Sequence, residues 1–127
     1  MITKNDVWNW LAKHPVATLA TIAVDGKPQM ATVYTYIDQN HHCYLITTEE
    51  TRKYKNVQYA PAVALSWFDV IDMKTCEIAG TASIVQSGEE VLAAITHLQE
   101  LITKQKQGYW IPPVGQLEGG NYAVLRI

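Results

Sequence analysis

The sequence predicts a mainly β protein: six strands, mostly antiparallel, forming a closed or split barrel with helices at its edges. Three observations predict it. Stretches rich in Val, Ile, Thr and Tyr alternate with turn residues, at Asp25-Gly26 and at Asp38-Gln39-Asn40. The links between the first three strands are too short for a crossover helix, so neighbours run antiparallel. A long strand interrupted by Gly80 favours a bulged or bent sheet that closes on itself over a flat one.

Each element follows from local chemistry. Thr3–His14 reads as a short helix: Thr3 and Asp6 have capping-box spacing, Val7, Trp8 and Leu11 recur on one face, and Pro15 stops the run. Val16–Val24 is the first strand and ends in the hairpin signal Asp25-Gly26. Pro28–Ile37 returns, and His42–Thr47 completes a three-stranded meander. Thr48–Tyr59 is polar and helix-compatible, and it ends before Pro61. Ala62–Phe68 is an apolar strand, Asp69–Lys74 a loop, and Thr75–Gln86 the long strand carrying Gly80. Ser87-Gly88-Glu89-Glu90 is a capping box that opens a helix to about Lys106, with Val91, Ile95, Leu98 and Ile102 on one face. Gln107–Gly119 is a loop with two prolines, and Asn121–Ile127 is the last strand. No internal repeat is visible.

The bulk numbers agree with one domain spanning residues 1–127. A chain of this length buries roughly two-thirds of its unfolded surface, enough for one core. Only 17% of residues are charged, which points to surface covered by a partner subunit. Net charge is −2, so no nucleic acid or anionic membrane is expected as partner, and any anion site must be local. The longest uncharged run, Asn56–Phe68, contains Asn, Gln, Pro and Ser and is no membrane span. Met1-Ile2-Thr3-Lys4 precedes no long apolar stretch, and Cys43 and Cys76 lack metal-type spacing. The expectation is a cytoplasmic protein with two free thiols.

The stretch Ile46-Thr47-Thr48-Glu49-Glu50-Thr51-Arg52-Lys53 is where chemistry is expected. A strand ends and a helix begins there, so free N–H groups and the positive end of a helix dipole favour an anion. Thr47, Thr48 and Thr51 add hydroxyls, and Arg52 and Lys53 add charge. The same residues also read as a plain helix start, with Thr48 as cap and the charges in solvent. Elsewhere the signals are bland. His41-His42 is a poor metal pair on a strand, His14 suits a helix end, and Asp69 and Asp72 flank a loop apex. Tyr34 and Tyr36 face one side and either border a ring cofactor or pack in the interior. Tyr109, Trp110 and Ile111 either cover a pocket of the partner subunit or pack over the helix.

The order of motifs over about residues 14–105 resembles the pyridoxamine 5′-phosphate oxidase-like, FMN-binding split-barrel family. The resemblance is carried by Ala17-Thr18-Leu19-Ala20-Thr21 ending in Asp25-Gly26 and Pro28, and by the small and aromatic alternation of the next strand. Thr47 followed by Thr51-Arg52-Lys53 looks like the family's phosphate clamp; Asn56, Pro61 and Gly80-Thr81-Ala82 follow in order. The resemblance implies FMN at the interface of a homodimer. Its phosphate would lie on Thr47, Thr51, Arg52 and Lys53, after Ile46, and its ring along Ala31, Thr32, Val33 and Tyr34. Thr75 stands where the pyridoxamine oxidases carry Gln. Ala31 and Tyr36 replace an Arg and a Lys of those oxidases, and their basic C-terminal segment is lacking, so that specific activity is not expected. The implied function is a flavin-dependent oxidoreductase of an unknown small-molecule substrate, with no catalytic acid or base identifiable. The alternatives are a non-catalytic flavin or haem carrier or sensor on the same barrel, and an apo-dimer in which the clamp is only a helix cap.

Overall fold

A computed structural model describes residues 1–104 and 122–127. Helix α1 (Lys4–Lys13) leads into β1 (Val16–Ile22), β2 (Pro28–Tyr34), β3 (Tyr36–Ile37) and β4 (Cys43–Thr48). Helix α2 (Arg52–Tyr59) leads into β5 (Ala62–Asp69), β6 (Lys74–Thr81), β7 (Ser83–Ile84), helix α3 (Gly88–Thr103) and β8 (Tyr122–Arg126). The strands form two four-stranded sheets, β2-β1-β5-β6 and β3-β4-β8-β7, and every pairing is antiparallel. The mainly β, antiparallel architecture with flanking helices is as expected; among the described residues the six expected strands are corrected to eight, in two sheets rather than one closed barrel.

Two expected strands are each divided, which accounts for the difference. The return strand Pro28–Ile37 breaks at Thr35, and the long strand Thr75–Gln86 breaks at Ala82. At both points the chain leaves one sheet for the other. The Thr35 N–H donates to the carbonyl of Pro15 (2.6 Å), and the Ala82 N–H donates to that of Pro61 (2.9 Å). A backbone donor spent on a third segment cannot serve a ladder, so the strand bends there. The meander is likewise divided: β1 and β2 pair in one sheet, β3 and β4 in the other. Gly80 is no bulge. It pairs with Val63 in an unbroken ladder, and a Cβ there would meet Ile127 at 3.1 Å.

The main core lies between the sheets, where Leu19, Val33, Leu65 and Trp67 of the first meet Cys43, Leu45 and Leu125 of the second. The far face of the second sheet is covered by α3, through Ala94 and Leu98 against Tyr44, Ile46 and Val124. Strand β4 is thus buried on both faces, which is why it reads as a continuous apolar run rather than an alternation. The first sheet has one covered face: β1 alternates buried Ala17, Leu19 and Thr21 with more exposed neighbours.

The connectivity of the described residues repeats. Helix, proline, hairpin, corner and second-sheet strands occur once from α1 to β4 and again from α2 to β8. One spacing relates Leu11 to Val57, Pro15 to Pro61, and Leu19 to Leu65. Leu19 and Leu65 are also direct partners across the β1–β5 ladder, so the two halves meet there about an approximate two-fold axis. The side chains differ enough that the sequence hides this repeat.

Candidate functional site

Strand β4 delivers the chain to the start of α2 through the turn Thr48–Thr51. Thr51, not Thr48, is the cap of α2: its hydroxyl accepts the Tyr54 N–H (3.3 Å) and donates to the Thr48 carbonyl (3.0 Å). Thr47 is fully buried, and its hydroxyl meets that of Thr51 at 2.7 Å. These two hydroxyls are engaged in holding the turn. Of the unpaired N–H groups that every helix start carries, those of Arg52 and Lys53 find no acceptor among the described residues. The Thr51 N–H goes to the Thr48 carbonyl, and the Tyr54 N–H goes to Thr51.

The other two helices provide internal controls. Thr3 and Asp6 complete a reciprocal capping box on α1, and α3 begins with Glu89 and Glu90. The Ser87 box is half-formed: the Ser87 hydroxyl accepts the Glu90 N–H, while the Glu90 carboxylate turns to Tyr44 and Arg126 (2.6 Å each). Helix α2 has no acid in its first turn and two cations instead. Cations at this end oppose the helix dipole, at a cost of about 0.3–1 kcal/mol each, unless an anion sits between them. Glu49 and Glu50 are exposed and point no carboxylate at either cation within salt-bridge distance. Lys53 is half-buried, and burial pulls its ammonium below the ordinary lysine value.

Beside this helix start lies a cleft of about 270 Å³ lined by Thr21, Gln29, Met30, Ala31, Thr51, Arg52 and Lys53. The structure therefore brings together Ala31, Thr51, Arg52 and Lys53 of the expected site. Thr32 is exposed on the outer face of β2. Val33, Tyr34 and Ile46 are buried in the two cores. Strand β2 is an edge strand, so its outer backbone groups remain available to a ligand even where its side chains do not. Thr75 is on β6, the opposite edge of the sheet, and its hydroxyl donates to the Trp67 carbonyl (3.0 Å). Within one chain it does not join the cleft.

Sequence reasoning missed Thr21, Gln29 and Met30 as cleft residues. Asn56, buried on α2, donates from Nδ2 to Thr21 Oγ1 (3.0 Å) and to Gln29 Oε1 (2.8 Å). A polar residue at an inward position of a strand was the available signal. Tyr36 stacks on His97 (4.4 Å), so its ring is occupied without any cofactor. Tyr109, Trp110 and Ile111 lie outside the described residues.

Away from the cleft, His14, Asp69 and Asp72 bring three ligand-type atoms within 4.8 Å of one another. His14 Nε2 meets Asp69 Oδ2 at 2.5 Å, and His14 Nδ1 meets the Trp10 carbonyl at 2.7 Å. Both ring nitrogens of His14 are thereby engaged within the protein.

The family model described as pyridoxamine 5′-phosphate oxidase matches residues 4–119. No curated protein sequence matches. Among solved structures, the conserved hypothetical protein Rv2991 from Mycobacterium tuberculosis superposes with a TM-score of 0.81 at 22% identity, over 100% of this chain and 80% of that one. HutZ, the haem storage protein from Vibrio cholerae, gives 0.73 at 15% identity, over 99% and 89%. An F420 reductase gives 0.69 at 22% identity, over 93% and 89%. Likeness at these identities establishes a shared fold.

Proposed function

The chain belongs to the pyridoxamine 5′-phosphate oxidase family, and from that premise we propose that it is an FMN-binding oxidoreductase whose cofactor phosphate lies at the start of α2. The observation that carries this reading is Lys53: a half-buried cation with no carboxylate partner among the described residues, beside Arg52 and two open N–H groups. A dianionic phosphate supplies what each of these groups lacks, through charge-assisted hydrogen bonds. Bound FMN would supply hydride chemistry. The chain's own residues would anchor the phosphate at Arg52 and Lys53, brace the turn through Thr47 and Thr51, and offer the β2 edge to the ring.

A homodimer belongs to the same proposal. The outer face of the first sheet is nearly uncharged, with Thr18, Ala20, Met30, Ala64 and Ala79 around the single acid Glu77. Met30 lines both this face and the phosphate cleft, so the two are continuous. A second copy seated on that face would reach the cofactor, and Thr75 would then act across the interface.

The small-molecule substrate carries no phosphate in this reading, because the cleft's cations are committed and Ala31 and Tyr36 add none. The second reading, a carrier or sensor without turnover, is favoured by one observation: among the described residues, no carboxylate or imidazole lines the cleft.

The experiment is titration of the purified protein with FMN, with the visible spectrum recorded first. Flavin bands and binding that Lys53→Ala weakens about tenfold or more would support the clamp. Equal affinity in the wild type and Lys53→Ala would remove it. Oxidation of a reduced nicotinamide by the loaded protein separates the enzyme from the carrier.

A further inference from the structure

We infer that Gln29, turned by Asn56, is a neutral hydrogen-bond donor to the anionic end of the cofactor. This rests on the cofactor reading above and adds a residue to it. Asn56 is 5% exposed and sits on the buried side of α2. Its Nδ2 carries two hydrogens and both are used, one on Thr21 Oγ1 at 3.0 Å and one on Gln29 Oε1 at 2.8 Å.

The bond to Gln29 fixes which way that carboxamide faces. Its oxygen is held by Asn56, so its –NH₂ group is directed away from Asn56. The Gln29 side chain is half-buried and lines the same cleft as Arg52 and Lys53. No described residue accepts from Gln29 Nε2. The other Asn56 hydrogen acts alike on Thr21: with a lone pair taken, the Thr21 hydroxyl keeps its own proton to donate. The cleft thus gathers donors of three kinds, namely ammonium and guanidinium cations, helix-start N–H groups, and a carboxamide –NH₂ whose orientation is preset. An acceptor-only ligand such as a phosphoryl group satisfies all of them. A cation or a further donor satisfies none.

Asn56 is a positioning residue in this scheme, since it does not touch the ligand. A preset amide loses little freedom when the ligand arrives, which is how such a donor contributes affinity.

The test measures FMN affinity of the full chain by flavin fluorescence in four single variants and one double variant. Gln29→Leu keeps the size and removes the donor, and affinity should fall about tenfold. Its dependence on salt should match the wild type, because no charge is lost, whereas Lys53→Ala should flatten it. Gln29→Glu sets a carboxylate against the phosphate and should weaken binding further than Gln29→Leu. Asn56→Asp reverses the bond, draws the Gln29 –NH₂ inward and leaves its oxygen facing the cleft. It should weaken FMN more in the Gln29 background than when added to Gln29→Leu, where only the repulsion of the new carboxylate is left. A merely structural Asn56 would cost the same affinity in both backgrounds and overturn the positioning role. If Lys53→Ala weakens FMN while Gln29→Leu and Gln29→Glu bind as the wild type does, the inference is overturned and the clamp stands. If none of these changes matters, the cofactor reading falls and this inference falls with it. Should Asn56→Asp not fold, the two Gln29 variants decide the donor role alone.

Discussion

At the scale of single residues, burial decides what the two thiols can do. It pushes the Cys43 thiol up to about 12, so no thiolate forms there at neutral pH. Cys76 is half-buried and is raised too, by desolvation and then by the charge of Glu77. An alkylating reagent should label Cys76 slowly in the native protein and Cys43 only after unfolding, as mass spectrometry would count. Asp69 has the opposite shift. The Ile71 backbone N–H, with the His14 ring beside it, holds its carboxyl below the usual carboxylate range. A depressed folded-state value means stabilisation that is complete above the unfolded-state value and is lost as pH falls through the folded one. Asp69→Asn lacks that contribution, so its melting temperature should fall less than the wild type's between neutral and acid pH. At this scale the sequence was partly legible. Thr51-Arg52-Lys53 is local and could be seen, whereas the Asn56 bonds to Thr21 and Gln29 join a helix to two strands far away in the chain. No spacing rule reports a contact that depends on how α2 docks.

Among the elements, α1 was read well, since its cap is local, whereas the cap of α2 lies at Thr51 rather than Thr48 and the Ser87 box closes only by half. Thr3–Asp6 closes as expected, and Pro15 follows the end of α1. The corner at Thr35 was not legible, because threonine is a good strand former and nothing beside it signals a break. The bend comes from distant partners. Thr35 donates to the Pro15 carbonyl from both N–H and hydroxyl, and its hydroxyl oxygen accepts the Trp67 indole N–H at 3.3 Å. Trp67 is fully buried. Thr35→Val keeps the shape and strands that indole N–H, so unfolding free energy should drop by about 1–3 kcal/mol in denaturant titration. Thr35→Ser should retain most of it. The loss would appear as a lower midpoint at an unchanged slope.

For the whole molecule, the flat outer face of the first sheet connects assembly to chemistry. If a second copy seats there, Ala64→Arg should give a monomer by analytical ultracentrifugation and should weaken FMN together with dimerisation, since Met30 lies on both surfaces. A dimer that persists with full FMN affinity would separate the two. Family and overall β character were legible from motif order. The two-sheet arrangement was not, because each sheet is assembled from pieces that lie far apart in the chain.

That last point has a mechanical side. Each sheet takes two strands from before α2 and two from after it, as two hands clasp rather than as two bricks stack. A chain severed at the exposed Glu49–Glu50 turn would yield two pieces, neither holding a complete sheet. Their solitary edges would have nothing to close upon until the pieces met. The fold of each subunit would then behave as an association, with a concentration dependence of its own, and the proposed phosphate clamp would sit at the seam.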